Sequence, residues 1–439
     1  MRATFSTLVC LAGLLAGASP ASAQQPSDTL DLARAIALAR AQNPRIAAAS
    51  AGVRAAGARI APAGTLPDPT VTLGAMNYML PGLSPRGDPM TMNQLTVMQT
   101  LPVNGTLRLR RAAARADSAG TALRRDALAL DVEHEVRTRY WELYHTDRAL
   151  ETMAGTLGVL RDLVGIASAM YAVGSTSQAD VVRAQLAVTR MQQEIADMEL
   201  QRFTAAAALN GLLGRDPEAR IALRPGTAHG MHGGEVMALE MPPPAPVDSL
   251  VRWADSGNLE LAALRSGVSA ARANEDAARR MRIPDLSVGL SYGQRTGAPD
   301  VISAMFGVSV PVFTRSRQLR MRDESRAMRE MAEDEVAAMR LAVRTELVTA
   351  RAEAETARRQ VTLYSGTLVP QAAAAYEASV AAYRVGRADF MAVLDAQMAL
   401  LMYQHDAHRF EGMYGTAIAD IDRLTGRLYV APMAEMGME

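Results

Sequence analysis

The chain repeats itself at a fixed distance. Tyr171-Ala-Val-Gly174 recurs as Tyr383-Arg-Val-Gly386, Ala184-Gln185 as Ala396-Gln397, and Leu212 and Gly214 as Leu424 and Gly426. Every pair is 212 residues apart (171 to 383, 184 to 396, 214 to 426). Short solenoid units repeat every 20–50 residues or so, which excludes a solenoid here. The period instead implies a duplicated half-protein whose two halves share one architecture. In a chain of 439 residues, that favours one pseudo-symmetric body over several independent domains.

The amino terminus reads as a secretory signal over residues 1–23: Arg2 supplies a positive charge, Leu8 to Ala18 an apolar stretch, and Ala21-Ser22-Ala23 a small-x-small cleavage site. The apolar stretch is shorter than the roughly 20 residues of a spanning helix. The single cysteine, Cys10, lies inside it. Val9 precedes it where a lipidated cysteine has a small residue, so lipidation is not expected. The mature chain is then expected to have no disulfide and no thiolate metal site. The formal charge of zero gives no support to a nucleic-acid partner, and no cofactor is implied. No nucleophile–His–acid set, phosphate loop or zinc-type spacing is present, so an enzyme is not expected.

Two periodicities alternate along each half. Asp31 to Ala58 and Asp248 to Arg280 are helical in character, and Asn43-Pro-Arg-Ile-Ala-Ala in the first matches Asn258-Leu-Glu-Leu-Ala-Ala in the second. Each is followed by Pro-Asp (67–68, 284–285) and then by residues of period two. Val71, Leu73 and Ala75 alternate with Thr70, Thr72 and Gly74, and Leu95, Val97, Gln99 and Leu101 with Thr96, Met98 and Thr100. In the second half Leu286, Val288, Leu290 and Tyr292 alternate with Ser287, Gly289 and Ser291, and Ile302, Ala304, Phe306, Val308 and Val310 with Ser303, Met305, Gly307 and Ser309. One apolar and one small polar face is a strand signature, and runs of about 9–11 residues suit tilted membrane strands or, equally, two hairpins of a soluble sheet. Pro102 and Pro311 should end the second strand of each pair, because proline cannot donate to a ladder.

Beyond the strands, Val136, Leu143, Leu150, Leu157, Val164 and Tyr171 recur every seven residues, which predicts a long helix packed along its length. Glu355 and Thr362 interrupt the corresponding stripe of the second half. The helical pattern breaks at Val173-Gly174 and Val385-Gly386, so each half should hold one helical hairpin whose first arm, about 65 residues, is roughly 100 Å long. The organisation read from the sequence is therefore a signal (1–23) and a first repeat (24–235) with strands about 70–80 and 94–103 and a hairpin about 106–213. A proline-rich linker (236–247) leads to a second repeat (248–426) with strands about 285–296 and 301–313 and a hairpin about 315–426, then a tail (427–439). If the strands lie in a membrane, the sheet must close. Four strands are too few, since the smallest usual barrels have about eight, so copies must share one barrel.

The signal, the duplication, Pro-Asp before each strand pair, the Tyr-x-Val-Gly breaks, and Asp180-Val-Val-Arg-Ala-Gln and Val393-Leu-Asp-Ala-Gln after them resemble the TolC-like outer-membrane factor family. The likeness runs from about Thr29 to Gly426. It implies a mainly α fold with a small β part: a homotrimer with a twelve-stranded barrel in outer-membrane lipid, continued by a long helical periplasmic barrel. It also implies a periplasmic adaptor and an inner-membrane pump of the RND or ABC type as partners, and a function as a passive exit duct for efflux of drugs or heavy metals. The same duct could serve type I protein secretion; a reading of a different class is a periplasmic coiled-coil adaptor or structural rod.

The resemblance places a periplasmic gate at Asp180 and Tyr383, with Arg387 and Asp395 beside it, and adaptor contacts at Val173, Gly174, Val385 and Gly386. A phenol donating to a carboxylate contributes roughly 1–3 kcal/mol. Two positions depart from the family: its gate arginine aligns with Ala388, one residue after Arg387, and a second pore aspartate aligns with Ala392. The plain alternative is that Asp180 and Asp395 are solvated or capping residues beside a turn. Met76, Met79, Met90 and Met92 flank the first strand pair, and His229, Met231 and His232 precede the linker. Thioethers suit Cu(I) and imidazole several transition metals, which makes these residues a candidate set for copper or silver, although no spacing among them is specific to a metal site.

Overall fold

The computed structural model describes residues 29–86, 88–223 and 241–426. The signal segment, His229, Met231, His232 and the tail 427–439 lie outside the described residues. The first half runs β1 (Thr29–Leu30), α1 (Leu32–Gln42), α2 (Pro44–Ala58), α3 (Ile60–Ala63), β2 (Thr70–Met76), β3 (Met92–Leu101), α4 (Thr106–Ala172), α5 (Gln178–Leu212) and β4 (Ala222–Leu223). The second runs α6 (Val247–Gly257), α7 (Leu259–Arg280), β5 (Asp285–Arg295), β6 (Val301–Ser309), α8 (Gln318–Leu363), a π-helical turn (Tyr364–Leu368), α9 (Val369–Arg384) and α10 (Phe390–Thr425). β1 and β4 form a two-residue parallel pair; the other four strands form one antiparallel sheet in the order β2-β3-β5-β6.

The halves join inside that sheet, where β3 pairs with β5 from Met92↔Arg295 to Leu101↔Leu286. The register puts Val71, Val97, Leu290 and Ala304 in one row and Leu73, Leu95, Tyr292 and Ile302 in the next, all on one face. Thr72, Thr96, Ser291 and Ser303 fall on the other. The large apolar side chains are exposed, Leu73 by 80% and Phe306 by 85%. Each would gain roughly 1.5–3 kcal/mol on leaving water. β2 and β6 stand at the two edges with one neighbour each. β2 ends at Met76 rather than near 80, because Asn77 adopts a positive φ of 58° and turns the chain away. β6 ends at Ser309, and Val312 N–H closes a turn onto the Val310 carbonyl at 3.0 Å around Pro311.

The 212-residue step governs the hairpins. α4 has 67 residues, and its counterpart from Gln318 to Arg384 is equally long although it is built of α8, the π turn and α9. α5 and α10 begin at Gln178 and Phe390, again 212 apart. The π turn was not expected from the sequence. Pro370, the second residue of α9, has no N–H for the α-helical ladder, and the wider turn before it carries a Val369 N–H bond to the Tyr364 carbonyl. The buried seam of α4 also departs from the expected stripe. Val136 and Leu143 are buried, but the seam then continues through Thr146, Ala149, Met153, Thr156, Leu160, Leu163 and Ala167. The two three-residue steps from Leu143 to Ala149 overwind the pattern. Leu150, Leu157 and Val164 consequently lie on its flank, half-buried, and Tyr171 is exposed. Small and polar residues line part of the real seam, so apolar character alone misplaces it. Part of α4 is apolar enough to cross a membrane by composition, but Met153, Leu160, Leu163 and Ala167 pack there with residues of α5, α9 and α10 in one core.

Halfway along the body, two helix ends meet in each half. Asn43 accepts from the Arg45 N–H at 2.9 Å to cap α2, while its Nδ2 donates to the Leu212 carbonyl at the end of α5 at 3.0 Å. Asn258 repeats this in the second half: it accepts from the Leu261 N–H at 2.8 Å, and its Nδ2 donates to the Leu424 carbonyl near the end of α10 at 2.9 Å. Both are buried. One amide thus satisfies an orphan donor of one helix and an orphan acceptor of another. Glu133, also buried, receives Arg40 and Arg137, and Arg137 reaches on to Asp422 at 2.5 Å, tying α4 to α10. Replacing Asn43 or Asn258 by Ala should cost about 1–3 kcal/mol and lower the thermal unfolding temperature followed by circular dichroism. An unchanged midpoint would show that these junctions do not hold the helices in line.

Candidate functional site

The far ends of the hairpins are turns of one kind. After α4, the Gly174 N–H bonds the Tyr171 carbonyl at 3.0 Å and the Ser175 N–H bonds the Met170 carbonyl at 2.8 Å. After α9, the Gly386 N–H bonds Tyr383 and the Arg387 N–H bonds Ala382, both at 2.9 Å. This pattern ends a helix with one residue in the left-handed region, which is why Gly174 (φ 74°) and Gly386 (φ 72°) stand there. Val173 and Val385 are exposed beside them.

The two tips differ in how the next helix starts. At α5, Ser177 and Asp180 form a reciprocal capping box. Asp180 Oδ2 accepts Thr176 Oγ1 at 2.6 Å, Ser177 Oγ at 3.0 Å and the Ser177 N–H at 3.4 Å, and Oδ1 takes Arg183 Nη1 at 3.1 Å. The Thr176 hydrogen bond is the main reason the carboxyl is held below the usual range, with the Ser177 bonds and Arg183 adding to it against the opposing effect of burial. At α10 the equivalent residues are Asp389 and Ala392. Asp389 makes no side-chain cap bond.

Of the residues named from sequence, the structure brings Asp180 and Tyr383 to one place but does not join them directly. Tyr383 Oη donates to Thr176 Oγ1 at 3.5 Å, and Thr176 donates to Asp180. Thr176 is the relay that sequence reasoning missed; the only signal for it was its place opposite Ala388 in the repeat. Tyr383 is buried, stacked edge-on to Phe390 with ring centroids 5.6 Å apart, whereas its counterpart Tyr171 is exposed. The Arg387 and Asp395 side chains are exposed on the second hairpin.

The metal expectation meets a mixed geometry. Met76 and Met92 are direct partners across β2 and β3, on the face opposite the apolar one, while Met79 and Met90 are exposed in the connecting loop. Among the described residues, no group of three or more His, Cys, Asp or Glu is placed to hold a metal ion. The histidines that converge are His145 on α4 and His405 and His408 on α10. The rings of His145 and His405 stand edge to face at 5.0 Å, and His408 Nδ1 lies 3.3 Å from Glu411. Burial pushes His145 down to about 4, helped by His405, His408 and Arg409 and opposed by Glu411.

The family described as outer membrane efflux protein matches residues 35–215 and 250–427, one stretch in each half. The chain belongs to that family. It is an outer-membrane protein whose helical part extends into the periplasm. CyaE of Bordetella pertussis is 27% identical over 304 residues, which covers 66% of this chain but only 62% of CyaE. The cobalt-zinc-cadmium resistance protein CzcC of Cupriavidus metallidurans is 24% identical over 301 residues, or 68% of each chain. Among solved structures, the outer membrane protein VceC of Vibrio cholerae superposes with a TM-score of 0.73 at 18% identity, over 90% of this chain and 96% of that one. That likeness is one of fold.

Two outcomes follow from these interactions. Asp180→Ala should remove the capping box, worth about 1 kcal/mol, and speed amide exchange over residues 174–180 by roughly fivefold at pH 7. Unaltered exchange would mean that the box does not order the tip. His145 has a folded pKa below its unfolded value, so its contribution is complete above about pH 6.5 and is lost as the pH falls towards 4. His145→Phe should accordingly flatten the loss of thermal stability between pH 7 and pH 5; an identical pH slope would detach His145 from it.

Proposed function

We propose that three copies of this chain form the outer-membrane exit duct of a tripartite efflux system, fed by an inner-membrane pump of the RND or ABC type through a periplasmic adaptor. The observation that carries this is the open-edged sheet. Its apolar face suits lipid and its small polar face a lumen, and its edge strands must find partners in hydrocarbon. The helices pack in the matching order α2-α4-α7-α8, so the edge that would pair β6 with the β2 of a second copy would also set α8 beside its α2. The passage through the membrane then continues down a helical wall about 100 Å deep.

At the periplasmic end, Asp180, Thr176 and Tyr383 form the polar link between the two hairpins of one protomer. Arg387 and Asp395, exposed on the second hairpin, are the side chains available to neighbouring copies, and a ring of Asp395 carboxylates would favour cations. The exposed Val173 and Val385, with Gly174 and Gly386, offer the tip surface to the adaptor. Heavy-metal efflux is the favoured cargo, on the similarity to CzcC and on the paired Met76 and Met92 thioethers facing the lumen side.

In the outer-membrane fraction the unheated protein should run on a gel as a heat-sensitive trimer, and exclusively monomeric chains would sink the proposed assembly. In planar bilayers, Thr176→Val and Tyr383→Phe should each raise conductance by the same amount, and the double variant by no more than either single one. Deleting the gene should sensitise cells to copper, silver, zinc or cobalt; unchanged metal tolerance with new drug sensitivity would redirect the cargo to organic solutes.

A further inference from the structure

An arginine-lined cavity lies immediately below the sheet. Glu275 and Arg279 are on the last turns of α7, Arg282 stands three residues before β5, and Arg322, Arg326 and Arg329 share one face of the first turns of α8. Together they line a space of about 550 Å³. Five of the six lining residues are arginines, and the sixth is Glu275. Glu275 is buried and holds Arg279 at 2.6 Å and Arg329 at 2.8 Å. Burial alone would raise its pKa, but the bonds from Arg329 and Arg279 outweigh this and keep it below the usual range. Arg279 also reaches Asp276 at 3.5 Å and Arg329 reaches Glu333 at 2.6 Å, so these two are committed to carboxylates of α7 and α8. Arg322 and Arg326 pair with Asp323 at 2.8 Å and Glu330 at 2.9 Å. A guanidinium has five N–H donors, so a single partner leaves donors for another acceptor. Arg282 is exposed.

The internal repeat shows that the fold does not require these charges. Helices α2, α3 and α7 correspond at a step of 215 (Asn43 to Asn258), and α4 and α8 at 212. At the matching positions the first half has Ile60, Gly64 and Pro67, then Arg110, Ala114 and Asp117. Five arginines are reduced to one while the helices keep their places. Arg282, Arg322 and Arg326, which take no part in the α7–α8 pairing and gather around a cavity with donors to spare, have the composition of an anion receptor.

We propose that this cavity binds a phosphate-type anion through bidentate arginine contacts. Its level, between the end of α7 and the start of β5, admits two sources of that chemistry: the headgroup phosphate of a lipid in the periplasmic leaflet, or a soluble phosphate in the water column.

The test uses the full-length protein in neutral detergent, with phosphatidylglycerol, pyrophosphate and phosphate-free diacylglycerol as probes in native mass spectrometry and thermal-shift titrations. The wild type should bind at least one of the two phosphate probes and not diacylglycerol. Retention of phosphatidylglycerol alone identifies a lipid headgroup; binding of pyrophosphate identifies a soluble anion. Arg322→Gln with Arg326→Gln should weaken binding at least tenfold, whereas Arg108→Gln, on the first-half rim, should leave it unchanged. Should the double variant fail to fold, Arg282→Gln, which touches neither Glu275 nor the α7–α8 packing pairs, should still weaken binding about threefold. Absence of binding by either phosphate probe, or wild-type affinity in folded cavity variants, overturns the proposal. The readout is anion binding, which is independent of whether the assembled duct conducts.

Discussion

A peptide N–H or C=O facing hydrocarbon has no water to turn to, and the two edges of the four-stranded sheet confront the chain with rows of such groups. Inside the sheet the requirement is met by β2-β3-β5-β6 pairing. At β2 and β6 it can be met only from outside the chain. The rest of the architecture is compatible with that demand. The halves are joined strand to strand at β3 and β5, so neither half closes on itself, and the wall helices follow the strand order. A chain that placed its halves back to back would have hidden the same apolar residues and left no such edges to be paired.

Where the two halves keep step and where they slip reflects what each level must do. β2 and β5 begin 215 residues apart, β3 and β6 209, yet α4 and α8, and α5 and α10, return to 212. The slips are absorbed in the extracellular loop and in the strand-to-helix connections, which can vary in length without moving anything else. The hairpin arms cannot. Both must bring their tips to one level, and the 67-residue length survives even the π turn before Pro370. The Asn43 and Asn258 junctions serve the same end: they stack α2 on α5 and α7 on α10, so that two shorter helices run alongside one long one.

Much of this was legible in the sequence because the relevant signals are periodic or conformational. Alternation marked all four strands, and the glycines at 174 and 386 marked both tips. Other features lacked such a signature. Thr176 bridges to a residue 207 positions away, and a threonine beside a turn has no feature that announces a relay. The seam of α4 runs over Thr146, Ala149 and Thr156, which an apolar count passes over. His145 and His405 meet across α4 and α10, and the cavity arginines come from two helices and a loop, so neither group exists until the helices are packed. Pro370 was a visible warning of the π turn. What it could not show was that the helix would widen rather than break.

The tips also show how duplication and function pull apart. Asp180 is held by several bonds, all from its own turn or helix, so the first tip is ordered by itself. The second tip has Ala392 where the box would be, and Asp389 makes no side-chain cap bond. Its order comes from burying Tyr383 and Phe390 in the shared core. The polar connection between the two is the Tyr383–Thr176 bond, long at 3.5 Å and therefore weak, about 1 kcal/mol or less. Separating the hairpins there would cost little in hydrogen bonding and would leave the Asp180 cluster intact. The larger cost would be exposure of the two aromatic rings, roughly 1.5–3 kcal/mol each. The contact is thus held by apolar burial and only directed by the polar relay, which makes its strength far less sensitive to ionic strength than a salt bridge would be.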